Sequence, residues 1–469
     1  MKVLMLNPPF VDDFCRSARW AAKSRGRVQR HPDFLLIATA VLEQAGHEVE
    51  FIDGAAQNLK RQDVEKIIKS FKPDFTVCHT TTPSIYNDVE YARLAKKLSG
   101  CITALVGPHV TAEPEDTFRI AGDSVDAIVR GEYDYTLRDI ADGRVIGGVQ
   151  GVSFLDDKQV VNNKDRPLLD VNDLPFPAWH HIKPEWYRDL GKMHPFLTLI
   201  SGRGCPNHCS FCRDTQLMYK RELRLRDPEK VADEMESDIM HFPQTREIMM
   251  ETDTFTANRS HVLGLCDEII LRKLAITWSC NVRVDVDLDM LSLMKYAGCR
   301  MLMVGFESGN QKILDDMDKG ITLEQSREFA KKARKLGFTI HGCFMIGNKG
   351  ETKDTARETI KFAKSLPLDT VQFSGVCVYP GTPMYEWAKK TGYLVPKDWR
   401  EWVGPDCEQA TLLSYPDLPK KEIDELIDKG LKEFYLRPKQ IARLALTTRG
   451  IGDLKRHFHG FKSFLNYFK

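Results

Sequence analysis

The stretch Ser201-Gly202-Arg203-Gly204-Cys205-Pro206-Asn207-His208-Cys209-Ser210-Phe211-Cys212 decides how the rest of the chain is read. An apolar, strand-like run from Phe196 to Ser201 leads directly into a glycine-rich loop in which three cysteines stand at Cys-x3-Cys-x2-Cys spacing. So tight a loop lets the thiolates of Cys205, Cys209 and Cys212 converge on one centre. Iron–sulfur clusters generally take four protein ligands, so three leave one iron open to a small molecule. The competing use of these groups is a structural zinc site built from the three cysteines and His208.

Downstream of the loop, Glu247 to Glu251, Ile276 to Cys280, Arg300 to Gly305, Thr339 to Ile346 and Thr370 to Val378 are further strand-like runs. Amphipathic stretches such as Asp227 to His241, Leu288 to Ala297 and Leu323 to Leu336 separate them. Six strands with helices between them predict a partial (β/α)6 barrel over residues 191–388, with its active face at the carboxyl ends of the strands. Upstream, the runs Val3 to Leu6, Val49 to Ile52, Phe75 to Cys78, Ile102 to Val106 and Ala127 to Val129 alternate with helical stretches such as Leu35 to Gln44 and Asn87 to Leu98. That alternation predicts an α/β, doubly wound parallel sheet over residues 1–150, a fold that binds ligands beyond the carboxyl ends of its strands. The loops at those ends are Asn7-Pro8-Pro9, His79-Thr80-Thr81-Thr82, Gly107-Pro108-His109 and Arg130-Gly131-Glu132. None is a GxGxxG turn or a P-loop, so an ordinary dinucleotide or NTP fold gains no support. Residues 151–190, with Pro167, Pro175, Pro177 and Pro184, read as a strand pair followed by a linker, and residues 389–469 as a helical, proline-broken, basic region.

The chain has 469 residues, which at roughly 150 per domain allows about three domains with ample core. Its 67 Lys and Arg face 66 Asp and Glu, and a balance of +1 gives no global pull toward nucleic acid. No run of about 18 apolar residues is present, so no membrane span is predicted. The apolar start runs into Pro8-Pro9 with no small-residue cleavage site; it reads as a buried strand, and the expected location is the cytoplasm. The nine cysteines outside the loop stand alone in the sequence and read as small buried hydrophobes.

With these segments in view, the cysteine loop resembles the signature of the radical SAM superfamily. The resemblance implies a 4Fe-4S cluster on Cys205, Cys209 and Cys212 with S-adenosylmethionine (SAM) on its open iron. Phe211 stands where the family packs the adenine. Asp253, in Glu251-Thr252-Asp253-Thr254-Phe255, matches the carboxylate that holds the methionyl amino group, although Thr252 replaces a frequent acidic residue. Arg283 is placed to meet the methionyl carboxylate, and Glu307 matches the ribose-binding acid, whose two acceptor oxygens suit a diol. Gly347 belongs to Phe344-Met345-Ile346-Gly347-Asn348-Lys349-Gly350-Glu351-Thr352, similar to an adenine motif in which Leu-Pro is usual at Asn348-Lys349.

The front of the chain is similar to cobalamin-binding radical SAM enzymes, the group of the anaerobic magnesium-protoporphyrin ester cyclase and of many carbon and phosphorus methyltransferases. Asn7-Pro8-Pro9, Gly107-Pro108-His109-Val110-Thr111 and Arg130-Gly131-Glu132 carry that likeness, as do Pro380 to Tyr385 and Phe434 to Pro438. It implies cobalamin contacts from Gly107, His109, Val110, Gly131 and Glu132. Asp-x-His-x-x-Gly, by which many corrinoid domains place a histidine on cobalt, is absent. The expected arrangement therefore has the benzimidazole tail off the metal along Thr80, Thr81 and Ser84, with His109 bonding the corrin or its side chains.

The resemblance implies methylation of an unactivated carbon. A 5′-deoxyadenosyl radical removes hydrogen, methylcobalamin delivers the methyl group, and a second SAM recharges cobalt. No side-chain base is required, and no Ser-His-Asp or paired-carboxylate constellation is found. The alternative within the family is cyclase-like oxidation with oxygen from water. A non-catalytic corrinoid carrier leaves the cysteine loop unexplained. The implied partners are a one-electron reductant such as a ferredoxin or flavodoxin, and a small molecule or a protein or peptide side chain as substrate. Lys429 to Lys469 holds ten Lys and Arg against Glu433 and Asp453, with Phe434, Tyr435, Phe458, Phe461, Phe464, Tyr467 and Phe468 interleaved. It reads as a solvated helical lid over the barrel, with binding of an acidic surface as the alternative.

Overall fold

Val3, Leu4, Met5 and Leu6 are all fully buried, and a run buried on both faces demands a parallel sheet covered by helices on each side. The computed structural model, which describes residues 1–17, 20–24 and 26–447, builds that sheet from β1 (Lys2–Asn7), β2 (Glu48–Asp53), β3 (Phe75–His79), β4 (Ile102–Val106) and β5 (Ala127–Val129). Their order is β2-β1-β3-β4-β5, all parallel. The chain reverses direction of travel across the sheet between β1 and β3, and the crevice at such a switch point is where these sheets bind ligands. The strand pair expected in the linker, β6 (Val152–Asp156) and β7 (Gln159–Asn162), instead extends this sheet at its β5 edge, antiparallel. Helices Asp33–Gln44 and Ile85–Ser99 take up the two expected helical stretches.

The second sheet is β8 (Phe196–Leu199), β9 (Glu247–Met250), β10 (Thr277–Val282), β11 (Cys299–Glu307), β12 (Thr339–Ile346) and β13 (Thr370–Gly375). All neighbours are parallel and in sequence order. Among the described residues β8 and β13 are not paired to each other, so the sheet is open, with helices such as Pro228–His241 and Leu323–Lys335 packed outside.

The first residues of the expected lid pack elsewhere. Helix Lys420–Tyr435 lies on β13, not over the strand ends: the Tyr435 hydroxyl bonds both Val371 N–H and Val371 C=O, and Phe434 is fully buried. These two aromatics belong to the core, because an amphipathic helix buries its apolar stripe against the nearest uncovered strand. Phe458, Phe461, Phe464, Tyr467 and Phe468 lie outside the described residues. No helix among the described residues is long and apolar enough to cross a membrane.

Candidate active site

The cysteine loop is pinched at its base. Gly202–Arg203 pairs antiparallel with Arg224–Leu225, so residues 204–223 leave the end of β8 and return to it. Gly204 makes the exit possible: its φ is +90°, and a Cβ there would lie 1.9 Å from Glu222 O. Thr252, the residue found in place of an acid, receives Ser201 N–H at 3.0 Å and bonds the Ser201 hydroxyl at 2.8 Å. It thereby fixes the residue from which the loop departs. Asp253, beyond β9, accepts Gly204 N–H at 3.0 Å.

Each thiol has a polar neighbour. Cys205 Sγ is 3.2 Å from Thr254 Oγ1 and from Asn207 Nδ2, and Cys212 Sγ receives the Thr215 hydroxyl at 3.2 Å. Cys209 Sγ lies 3.8 Å from an Arg283 guanidinium nitrogen. Burial pushes the Cys209 thiol up, against the pull of Lys319 and Arg283. Cys209 beside the buried cations Arg283 and Lys319 suits an anionic thiolate cluster. The zinc alternative loses its fourth ligand, because His208 is exposed and bonded to Arg221.

Arg283 donates twice to Asp285, at 2.8 Å each, and once to Lys319 C=O at 2.6 Å. Glu307 ends β11 at a register shift with φ +61°, a strained backbone for a residue with a side chain. Its carboxylate receives Lys319 Nζ at 2.7 Å, and both residues are buried. A Cβ on Gly305 would lie 2.4 Å from Glu307 Oε1, so that glycine makes room for the pair. Lys319 is the residue that sequence reasoning missed here. In Asp318-Lys319-Gly320 it resembles an ordinary solvated helix end, and only the fold carries it to Glu307 and Cys209.

Gly347 and Val110 have structural duties of their own. A Cβ on Gly347, φ +91°, would meet Ile423 at 2.9 Å, so the glycine admits helix Lys420–Tyr435. Val110 is fully buried in an apolar cluster with Leu4, Leu6, Ile52 and Leu105, so its side chain is part of the core. Glu132, grouped by its motif with cobalamin ligands, has both oxygens engaged by Arg203 (3.1 Å) and Arg224 (2.8 and 2.9 Å), and also accepts Leu169 N–H. Arg203 also forks onto Asp134 at 2.8 and 3.1 Å. These buried ions tie the root of the cysteine loop to the first sheet.

Gly107, with φ +120°, is required by the chain itself, since a Cβ there would lie 2.7 Å from Thr80 O. Gly131 has φ +67° and open space where a Cβ would stand. Thr80, Thr81 and Ser84 are buried. Thr80 donates to Val106 C=O, Thr81 and Ser84 bond each other at 2.5 Å, and Ser84 donates to Asp88. Arg16, itself fully buried, covers them by donating to Ser84 (3.0 Å) and Asp88 (2.7 Å). His109 bonds Thr82 through Nδ1 at 3.2 Å and sets its ring edge against Trp399, while its buried Nε2 has no partner among the described residues. Burial holds its pKa at about 3.

One cleft joins the two halves. His79, Thr80, Thr81, Gly107 and Pro108 line it from the first sheet; Gly202, Arg203, Arg213, Glu251 and Asp253 line it from the second. Counted out to open solvent it holds about 930 Å³. Asp33, at the start of helix Asp33–Gln44, reaches this cleft and accepts the Thr198 hydroxyl of β8; burial pushes its pKa up to about 8. Arg213 stacks over Tyr379, 4.6 Å from the ring centre, just beyond the sixth strand of the second sheet.

The sequence pattern of the radical SAM superfamily matches residues 199–363, and that of the B12 binding domain matches residues 29–141. A protein of Pyrococcus horikoshii named as an uncharacterized methyltransferase is 32% identical over 98% of this chain and 96% of its own. The chain belongs to the cobalamin-binding radical SAM family. Its cofactors are a 4Fe-4S cluster, SAM and cobalamin. The anaerobic magnesium-protoporphyrin IX monomethyl ester cyclase of Rubrivivax gelatinosus is 28% identical over 76% of this chain and 66% of its own. Two solved structures of cobalamin radical SAM enzymes share the fold. OxsB superposes with a TM-score of 0.75 at 18% identity, over 99% of this chain and 72% of its own. TsrM from Kitasatospora setae gives 0.73 at 16% identity, over the whole of both chains. The residues of this radical SAM chain fit the cofactors: one loop carries a three-thiol donor set with cations beside Cys209, and its flanking residues share a cleft with the switch point of a sheet of the kind that binds ligands there.

Proposed function

We propose that this cobalamin-dependent radical SAM enzyme transfers a methyl group to an unactivated carbon of a substrate held in the cleft. The cleft itself carries the reading, because strand-end loops of the first sheet and residues around the cysteine loop line one cavity. When bound, the cluster with SAM supplies hydrogen abstraction and cobalamin supplies the methyl group. Relatives named as methyltransferases support that choice.

In this reading residues 191–388 form the SAM half, where Cys205, Cys209 and Cys212 hold the cluster and leave one iron free. Phe211 and Gly347 flank the adenine and Glu307 takes the ribose diol. Asp253 holds the methionyl amino group, and Arg283 the carboxylate, with Lys319 adding positive charge beside it. Residues 1–150 form the cobalamin half. Gly131 gives the corrin open approach, His109 offers Nε2 to its side chains, and Thr80, Thr81 and Ser84 take the nucleotide tail once Arg16 releases them. Gly107, Val110 and Glu132 act through the shape of their loops. The electron enters from a one-electron reductant such as a ferredoxin or flavodoxin.

The test is stoichiometry in the coupled reaction with methyl-deuterated SAM. Methylation requires one 5′-deoxyadenosine and one S-adenosylhomocysteine per product, with the deuterated methyl group in the product. 5′-Deoxyadenosine without matching S-adenosylhomocysteine, and oxygen from labelled water in the product, would favour the cyclase chemistry of the named relatives.

A further inference from the structure

Away from the cleft, three metal-donor side chains converge where the linker meets the first half of the molecule. Glu43 stands in the last turn of helix Asp33–Gln44, and His180 and His181 close the short turn Trp179–His181. Glu43 Oε1 accepts from His180 Nε2 at 3.0 Å and from His181 Nε2 at 2.8 Å, and the three donor atoms lie within 4.8 Å of one another. None of the three residues lines the cleft.

The fold holds these side chains in place by itself. Leu42, beside Glu43, is fully buried, which fixes the end of the helix to the core. The turn docks on the same helix through Ala178 N–H, which donates to Leu36 C=O at 3.1 Å, and through Trp179, which is buried. The two imidazole rings are 4.3 Å apart between centres, and His181 also packs on Phe51 at 5.9 Å. Two histidines adjacent in sequence thus aim one nitrogen each at the same carboxylate oxygen.

Charge favours a cation at this point. Among the described residues no Lys or Arg pairs with Glu43; its ionic contacts are the two histidines. The last turn of the helix carries no basic side chain, so the negative end of the helix dipole adds to the carboxylate. Neither histidine bonds a described residue through Nδ1. The ring proton can therefore sit on Nδ1, which frees both Nε2 lone pairs without breaking any contact except the two to Glu43.

We propose that Glu43, His180 and His181 form a zinc site that clasps the linker to the end of helix Asp33–Gln44. Two imidazole nitrogens with one carboxylate oxygen suit Zn²⁺, whereas Mg²⁺ and Ca²⁺ take oxygen donors. His180 is exposed, so the fourth position belongs to water. Coordination uses three lone pairs; each ring proton moves from Nε2 to Nδ1 through solvent, and no electron is transferred. The proposal does not depend on the methylation reading.

The test uses full-length, untagged enzyme with its cluster assembled, dialysed to equilibrium against zinc chloride under anaerobic conditions. Metal analysis should find one zinc per chain with iron content unchanged. X-ray absorption at the zinc edge of the unsubstituted chain should show nitrogen and oxygen neighbours at about 2.0–2.2 Å and no sulfur at about 2.3 Å. Glu43→Gln, His180→Gln and His181→Gln should each weaken zinc binding at least about tenfold, since loss of even an outer partner of a metal ligand costs that much. His241→Gln, at an exposed histidine outside the cluster, should leave it unchanged. Because the ion binds only the folded clasp, zinc should raise the Tm of the unsubstituted protein and not that of Glu43→Gln. Sulfur neighbours, loss of iron on zinc uptake, undiminished affinity in the histidine variants, or no uptake at a several-fold excess of zinc would each overturn the site. Bound zinc that leaves Tm unmoved would overturn the clasp.

Discussion

The cysteine loop and the strand-end loops of the first sheet face each other across one cleft, yet they hold their working groups by different means. In the loop, the reactive atoms belong to three cysteines of one short segment, and the surroundings serve to give that segment its path: Gly204 at its exit, Thr252 on Ser201, Asp253 on Gly204. On the first sheet the most conspicuous motif residues are occupied by the protein itself. Val110 is core, Gly107 yields to Thr80 O, and Glu132 is spent on two guanidinium groups. His79, which lines the cleft there, bonds Asn7, 72 positions away on a neighbouring strand. A local motif can announce the first kind of site; only a sheet register assembles the second.

The comparison breaks most sharply at the cysteines. Replacing Cys205, Cys209 and Cys212 with Ala together should abolish iron and sulfide content and reduce 5′-deoxyadenosine formation to background. Cobalamin binding, carried by the other sheet, should stay within about twofold. Parallel loss of both cofactors, measured by metal analysis and corrin absorbance, would show that the two halves are not separable.

Next in size is a pair of glycine substitutions. Gly204→Ala meets both left-handed strain and the backbone oxygen of Glu222, together about 2–5 kcal/mol, and should strip most of the iron. Gly131→Ala meets only the strain, about 1–2 kcal/mol, because its Cβ enters open space. Iron retention in Gly204→Ala equal to that of the unsubstituted protein would refute the path assigned to the loop.

These contrasts explain what could be read in advance. All eleven strand-like runs of the two series became strands, because runs buried on both faces announce themselves by composition. The three thiols were legible because their spacing is local. The junction was not. Arg203 is two residues from Cys205, but its partners Glu132 and Asp134 are 71 and 69 residues distant, and no periodicity connects them. Lys319 was hidden for the same reason, and the packing of Phe434 and Tyr435 on the second sheet was hidden because composition shows only that Lys429 to Lys469 is basic. Arg203→Met tests the junction. It leaves Asp134 and Glu132 buried with less compensating charge and should cost about 3–5 kcal/mol in denaturant unfolding. A loss below about 1 kcal/mol would mean that the two sheets are held together elsewhere.

The smallest effect bears on Asp53, which joins Asn7 and Tyr187 at the switch point. Burial raises the Asp53 carboxyl from 3.8 to about 6, against the bonds it accepts from Tyr187, Ala56 and Asn7. The native state therefore binds this proton more tightly than the unfolded chain. The associated stability is fully present below pH 3.8 and is lost as pH rises through about 6. Asp53→Asn removes this titration and leaves the other groups in place, including His79 and His109, whose depressed pKa values act in the opposite sense. The difference in Tm between variant and unsubstituted protein should therefore move in the variant's favour between pH 4 and 7, by a few degrees at the ~2–4 °C per kcal/mol expected for large domains. The other histidines cancel in that difference, so the change reports Asp53 alone. A difference that stays flat across the interval would mean that Asp53 does not bury its charge at the switch point.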